Sequence, residues 1–326
     1  MNNFSDLFNQ KLLQFLFTFP FLKLRHLRNS ISYLVIIYYR YFSLKLNPFF
    51  VKLFYFVSLS FSGFLVLAAL KPRSDDHHSF KPRNLDIFFT SVSAATLSSM
   101  STVEMEVFSN SQLIILTFLM FLGGEVFTSI YIVVIHFLGV TMVLVYVSII
   151  SSAKTVLKNK GLKTLTFSIF TTVSTFASCG FVPTNENMMV FSKNSGLLLI
   201  LIPQVLLGNT LFPSCLRFSI WVFGKFNLWK ENSDYLLKKN GEIRYLHLLP
   251  SLHSWLLVPT VFGFILVQFV LFCSLEWSSD SLRGLNWYQK TIGVLFQCVN
   301  TRHTGETIVD LSIISPAILV LFVLMM

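Results

Sequence analysis

Charge is scarce in this chain. Its 326 residues include only 15 acidic and 25 basic side chains, too few to cover the surface of a soluble domain of that length. Cysteine is rarer still, with Cys179, Cys215, Cys273 and Cys298 spread along the chain without CxxC spacing. That spacing excludes a zinc ribbon and a disulfide framework, and it predicts four buried thiols. No HExxH occurs, and no basic helix or RNA-reading motif accompanies the formal charge of +10. Nucleic acid is therefore excluded as a partner; Lys and Arg flanking apolar spans meet lipid headgroups instead. Polar residues open the chain and no small-residue cleavage site follows the first apolar run, so no cleavable signal peptide is expected. What is abundant is hydrophobic: 54% of the residues, 36 of them Phe. This composition describes an all-α integral membrane protein.

Crossing the hydrocarbon core takes about 20 apolar residues in a helix. Runs of that kind cover Phe49–Leu70, Gly196–Phe223, Trp255–Leu275 and Ile308–Met326. Gln112–Ile150 is about twice the length one crossing needs and predicts two helices with a turn near Gly123, Gly124 and Glu125. The N-terminal stretches LLQFLFTFPF and ISYLVIIYYRYFSL are too short or too interrupted to span and suit the membrane interface. Residues 1–48 carry six basic side chains against Asp6 alone, which places the N-terminus in the cytoplasm.

Between these runs the chain repeats itself. Phe89-Thr90-Ser91-Val92-Ser93 matches Phe170-Thr171-Thr172-Val173-Ser174 at an offset of 81, and six residues further on stand Ser99 and Gly180. A third polar stretch, LFQCVNTRHTGE, places Gly305 at nearly the same depth after Asn300. Each copy reads as span, short amphiphilic helix, polar hairpin, span. Irregular backbone at membrane depth is tolerated only when buried in protein or lining water, so three such interruptions predict one shared pore. A small residue after a short helix lets consecutive carbonyls turn inward and replace an ion's water shell. Hydroxyl surroundings and helix C-termini favour a monovalent cation.

The stretches FFTSVSAATLSSMSTVEMEVFSN, LGGEVFTS, TFSIFTTVSTFASCGFVPTNENM, LLLILIPQVLLGNTLFPSCLR and QCVNTRHTGETIVDLSIISPAILVLFVLMM closely resemble the plant high-affinity K⁺ transporters, the HKT branch of the Trk/Ktr/HKT superfamily. The resemblance runs from about Phe49 onward. It implies span–pore-loop–span units around one cation pathway, with one filter residue per loop. Ser99, Gly180 and Gly305 match the first three of four, and Ser98, Glu104, Cys179, Asn300 and Thr304 are candidates for the pore mouth or filter support. Serine at the first position marks the family's Na⁺-selective subfamily, so the resemblance implies passive Na⁺ transport through backbone carbonyls, with K⁺ the weaker substrate. It implies no cofactor, no transition-metal site and no enzymatic activity, and a location in the plasma membrane of a plant cell.

On this reading residues 1–48 are a cytoplasmic segment, 49–130, 131–223 and 255–326 are three units, and 224–254 is a cytoplasmic linker. Against the family pattern the chain ends inside its sixth span, without a fourth loop, and lacks the cytoplasmic loop between the second and third spans. Three loops leave one side of the pathway open. A homodimer, or a non-conducting short form that associates with full-length transporters, is the alternative expectation.

Other residues carry two readings. Glu104 and Glu106 either draw cations to the outer mouth or cap the following helix. His303 and Glu306 have the spacing of a metal pair, but with no third ligand they are read as loop structure. His136 and Glu125 sit in apolar runs, near a turn that brings them to the interface. Asn209 and Thr210 either line the pore or bond helix to helix.

Overall fold

The computed structural model describes residues 47–73, 82–124, 130–225, 233, 235–237 and 248–325; the N-terminal interface segments, Glu125 and most of the linker lie outside them. Compactness divides the chain into Met1–Tyr55 and Phe56–Met326. Of the smaller part, the described residues 47–55 open helix α1 (Pro48–Ala69). The remaining elements belong to the larger part, Phe56–Met326.

Among the described residues every regular element is helical, which lets each backbone N–H and C=O find its partner within the helix where no water can reach. α1, α4 (Ile130–Ile149) and α9 (Ser251–Glu276) are long and apolar enough to cross a membrane. α4 has no charged side chain in 20 residues. It turns Val133, Val134, Phe137 and Leu138 outward, as α9 turns Phe262, Phe264 and Leu266. In water such surface would drive aggregation; against acyl chains it costs nothing.

Each crossing helix is followed by a shorter one that ends in a loop. α2 (Asn84–Thr96), α6 (Thr164–Phe176) and α10 (Trp287–His303) pack between the longer elements, the first two rich in small hydroxyl residues. The chain then returns through irregular backbone to α3 (Asn110–Gly123), α7 (Ser195–Gly208) and α11 (Pro316–Met325). The amphipathic α5 (Ser151–Asn159) joins α4 to α6.

Two apolar runs fold differently from the expectation. Gly196–Phe223 is not one span: α7 stops at Gly208, α8 (Phe212–Lys225) begins four residues later, and the two axes meet at 87°. Pro213 explains the break. Its ring has no N–H for the Asn209 carbonyl and would collide with it in a continuous helix. Within Ile308–Met326 only Pro316–Met325 is helical; the residues before it belong to the third hairpin, where the Ser315 N–H donates to Glu276 Oε1 at 2.9 Å.

Candidate functional site: where three hairpins meet

The outer ends of the short helices are fixed by side chains. Asp86 accepts from the Arg83 N–H at 3.1 Å and from the Thr102 hydroxyl at 3.0 Å, so the first loop returns beside the start of its own helix. Asn110 Oδ1, at the start of α3, accepts from the Lys163 N–H that opens α6, at 3.2 Å. Asn286 and Gln289 form a capping box at the start of α10, giving three orphan amide ends their partners.

At the inner ends the backbone turns back in a shared way. The Ser98 N–H bonds the Ser93 carbonyl at 3.0 Å, Cys179 bonds Ser174 at 2.9 Å, and Gly305 bonds Asn300 at 2.9 Å. In the first two loops this six-to-one bond encloses a left-handed residue, the normal helix ending, whereas in the third the enclosed Thr304 has a φ of −117° and the left-handed residue is Gly305 itself. Left-handed φ values follow at Leu97 (57°) and Ser99 (55°), at Ser178 (57°) and Gly180 (74°), and at Gly305 (74°). The first two loops are therefore copies 81 residues apart, whereas the third turns one residue sooner, five positions after Asn300 rather than six.

The three turns touch. A Cβ on Gly180 would stand 1.8 Å from the Thr304 carbonyl oxygen and 3.4 Å from Ser99 Cβ. Nothing lies within 4 Å of a Cβ on Gly305. The other candidates are braces: Ser98 Oγ donates to Ser93 Oγ at 2.9 Å, Asn300 Nδ2 donates to the Phe296 carbonyl at 3.0 Å, and Thr304 Oγ1 donates to Asn300 Oδ1. Cys179 is fully buried, as is Cys298, while Cys215 and Cys273 are only half-buried, so the expectation of four buried thiols holds for two. The site thus presents carbonyl and hydroxyl oxygens at the C-terminal ends of three helices, where peptide dipoles leave partial negative charge.

The same contact between helices occurs twice. A Cβ on Gly123 would lie 2.1 Å from the Ala95 carbonyl oxygen, and one on Gly208 would lie 1.9 Å from that of Phe176. In each case the end of the returning helix lies against the end of the short helix, and no other residue fits.

The polar residues singled out in the sequence have definite partners. Asn209 donates from Nδ2 to Ser178 Oγ in the second loop at 3.0 Å. Thr210, in the bend between α7 and α8, ties that bend to α10, its hydroxyl 3.1 Å from His303 Nε2. Glu306 accepts from Thr175 Oγ1 at 2.7 Å, so His303 and Glu306 point to different partners. Among the described residues no three His, Cys, Asp or Glu side chains come together to hold a metal. The ring of His136 is buried between Phe121 and Phe176, at 5.4 and 4.4 Å between ring centres.

Above the loops, Lys160 pairs with Glu106 at 2.8 Å and with Glu186 at 2.7 Å. Asn185 joins the same group, its N–H donating to Glu106 at 3.1 Å and its side-chain amide to Glu104 at 2.5 Å. Neither glutamate caps the following span: Ser109 and Gln112 cap α3 instead. Burial works to lower the Lys160 pKa, but its bonds to Glu106 and Glu186 outweigh that and hold it above the ordinary lysine value. The Lys160 bond in turn holds Glu186 below the ordinary carboxylate value. Lys160 was not foreseen from the sequence, where it is one basic residue among many.

Comparison with known proteins agrees with this architecture. The profile of TrkH, described as a cation transport protein, matches residues 125–326. The chain is 46% identical to the sodium transporter HKT1 of Arabidopsis thaliana over 80% of its own length and 63% of the relative's. It is 39% identical to the cation transporter HKT1;3 of rice, covering 86% of this chain and 66% of that one. It is 34% identical to the probable cation transporter HKT2;3 of rice, covering 93% and 70%. The chain spans about two thirds of the length of these relatives. It belongs to the TrkH cation transport protein family and, within it, to the HKT transporters.

Proposed function

We propose that this protein carries monovalent cations passively across a membrane, Na⁺ in preference to K⁺, through a filter to which Ser99, Gly180 and Gly305 contribute. The observation that carries the reading is the meeting of three hairpin turns, with Gly180 against Thr304 and Ser99 at the C-terminal ends of three buried short helices. Support also comes from the backbone: left-handed residues alternate with ordinary ones at 97 and 99 and again at 178 and 180. A chain alternating in this way turns successive peptide planes to one side, which suits a row of carbonyls replacing an ion's hydration shell. Ser99 is the one of the three that carries a side chain, and a hydroxymethyl group there narrows the pathway against the larger K⁺.

The test is electrical. The chain is expressed in oocytes both alone and extended by the remaining length of the Arabidopsis relative. A current whose reversal potential follows external Na⁺ more steeply than external K⁺, in either form, is the expected result. No cation current in both forms, at normal surface abundance, contradicts the proposal.

A further inference from the structure

Glu306 follows directly on the third turn and is fully buried. One carboxyl oxygen accepts from Thr175 Oγ1 at 2.7 Å; the other, Oε2, has no hydrogen-bond partner. Thr175 lies on α6, the short helix of the second unit and 131 residues away in sequence, so this bond crosses from one repeat to another. A buried carboxyl with a single partner is costly in so apolar a setting, and such groups persist where they hold something in place.

What Glu306 holds is the third loop. Its own N–H bonds Thr304 Oγ1 at 3.3 Å, and the carbonyl of Thr304 is the atom that presses on Gly180. Further out the same strand is tied by the Ile308 N–H to Gln297 at 3.1 Å and the Thr307 N–H to Asn187 at 3.2 Å. Gln297 belongs to the third unit's own helix, while Asn187 and Thr175 belong to the second. The Glu306–Thr175 bond is the tie nearest the turn at Gly305, one residue before Thr307, which the Asn187 side chain and the Met188 N–H hold.

We propose that Glu306 is a positioning residue: by accepting from Thr175 it clamps the third loop to the second unit's short helix and so sets the spacing between Thr304 and Gly180 on which ion selection depends. The part of this inference that concerns selection rests on the proposed transport function; the part that concerns the clamp does not.

Two readouts separate those parts. The first is the reactivity of the buried Cys179 thiol toward a methanethiosulfonate reagent, measured in membranes on the full chain carrying Cys215→Ala, Cys273→Ala and Cys298→Ala. Glu306→Ala and Thr175→Val each remove the clamp and are expected to speed labelling about five- to tenfold, the opening that loss of one buried hydrogen bond allows. Glu306→Gln keeps an acceptor for Thr175 and is expected to stay within about twofold of the parent. Unchanged labelling in both clamp-breaking variants overturns the proposal, and so does Glu306→Gln labelling as fast as Glu306→Ala, which would assign the role to the charge. Should Glu306→Ala fail to reach the membrane, Thr175→Val carries the same comparison. The second readout is the Na⁺/K⁺ permeability ratio in the conducting form: it should fall in Glu306→Ala and Thr175→Val and be retained in Glu306→Gln. Faster labelling with an unchanged ratio removes the selective consequence while leaving the clamp. Absence of current in the parent refutes the transport reading, and labelling then decides the clamp alone.

Discussion

Gly180 and Gly305 have the same φ, 74°, yet they are glycine for different reasons. At Gly180 the neighbouring loop leaves no room, since the Thr304 carbonyl lies 1.8 Å from where a Cβ would stand; at Gly305 there is open space. One glycine is required by its conformation and by its neighbour, the other by its conformation alone. Ser99 completes the series, a side chain held at a φ of 55° at a cost of about 1 kcal/mol relative to glycine. The lesson is that a repeated turn need not be repeated for the same energetic reason, and the contacts between repeats decide which copy tolerates change.

Substitution by alanine should expose this asymmetry most strongly. In Gly180→Ala the new methyl must displace a backbone carbonyl, so cation flux should be abolished and the yield of folded protein in mild detergent reduced, with a stability loss of about 3 kcal/mol or more. Gly305→Ala meets only the cost of a left-handed alanine, about 1–2 kcal/mol; it should reach the membrane normally and lose flux only severalfold. Equal damage from the two variants would break the comparison.

A second pair should behave alike. Gly123 and Gly208 each rest on the last carbonyls of a short helix, at 2.1 and 1.9 Å from a would-be Cβ. Gly123→Ala and Gly208→Ala should therefore lower the thermal midpoint by similar amounts, each about 1–3 kcal/mol in stability. A marked inequality would show that the first two units are not equivalent where the short helix meets the returning span.

The smallest effect is expected at the outer network. Glu186, almost half exposed beside Lys160, has its pKa lowered from 4.5. A depressed carboxyl stabilises the fold above its unfolded pKa and loses that contribution as pH falls through the folded value. The Lys160–Glu186 pair should thus be intact at neutral pH and lost below the ordinary carboxylate range. Lys160→Met should lower the thermal midpoint slightly near neutrality and abolish the part of the acid-induced fall that the pair contributes. A variant with the same acid profile as the parent would remove the pair from the account.

Much of this was legible in the sequence, and its limits are physical. The offset of 81 between FTSVS and FTTVS locates two short helices and their turns to the residue, because the local backbone is copied with the local sequence. The third turn is legible only to within one residue: LFQCVNTRHTGE lacks the small-hydroxyl pattern of the other two, and α10 runs through His303 before turning. The break after Gly208 was missed because an apolar run carries no sign of its direction, although Pro213 was there to be weighed. Contacts between repeats were out of reach. Glu306 with Thr175, Lys160 with Glu106 and Gly180 with Thr304 join residues far apart in the chain, and no spacing rule connects them. Asn209 stands out in the sequence, but its partner Ser178 does not until the bend brings them together.

The central claim is that these turns form one cation filter in which Ser99 selects against K⁺. Its most direct test is the reversal potential of Ser99→Gly in mixed Na⁺ and K⁺ solutions, read in the conducting form. The substitution removes the side chain and relieves the left-handed strain, so the K⁺/Na⁺ permeability ratio should rise by about tenfold, equivalent to about 1.4 kcal/mol. A reversal potential unchanged from the parent, with current of normal size, would take Ser99 out of the filter and contradict the account.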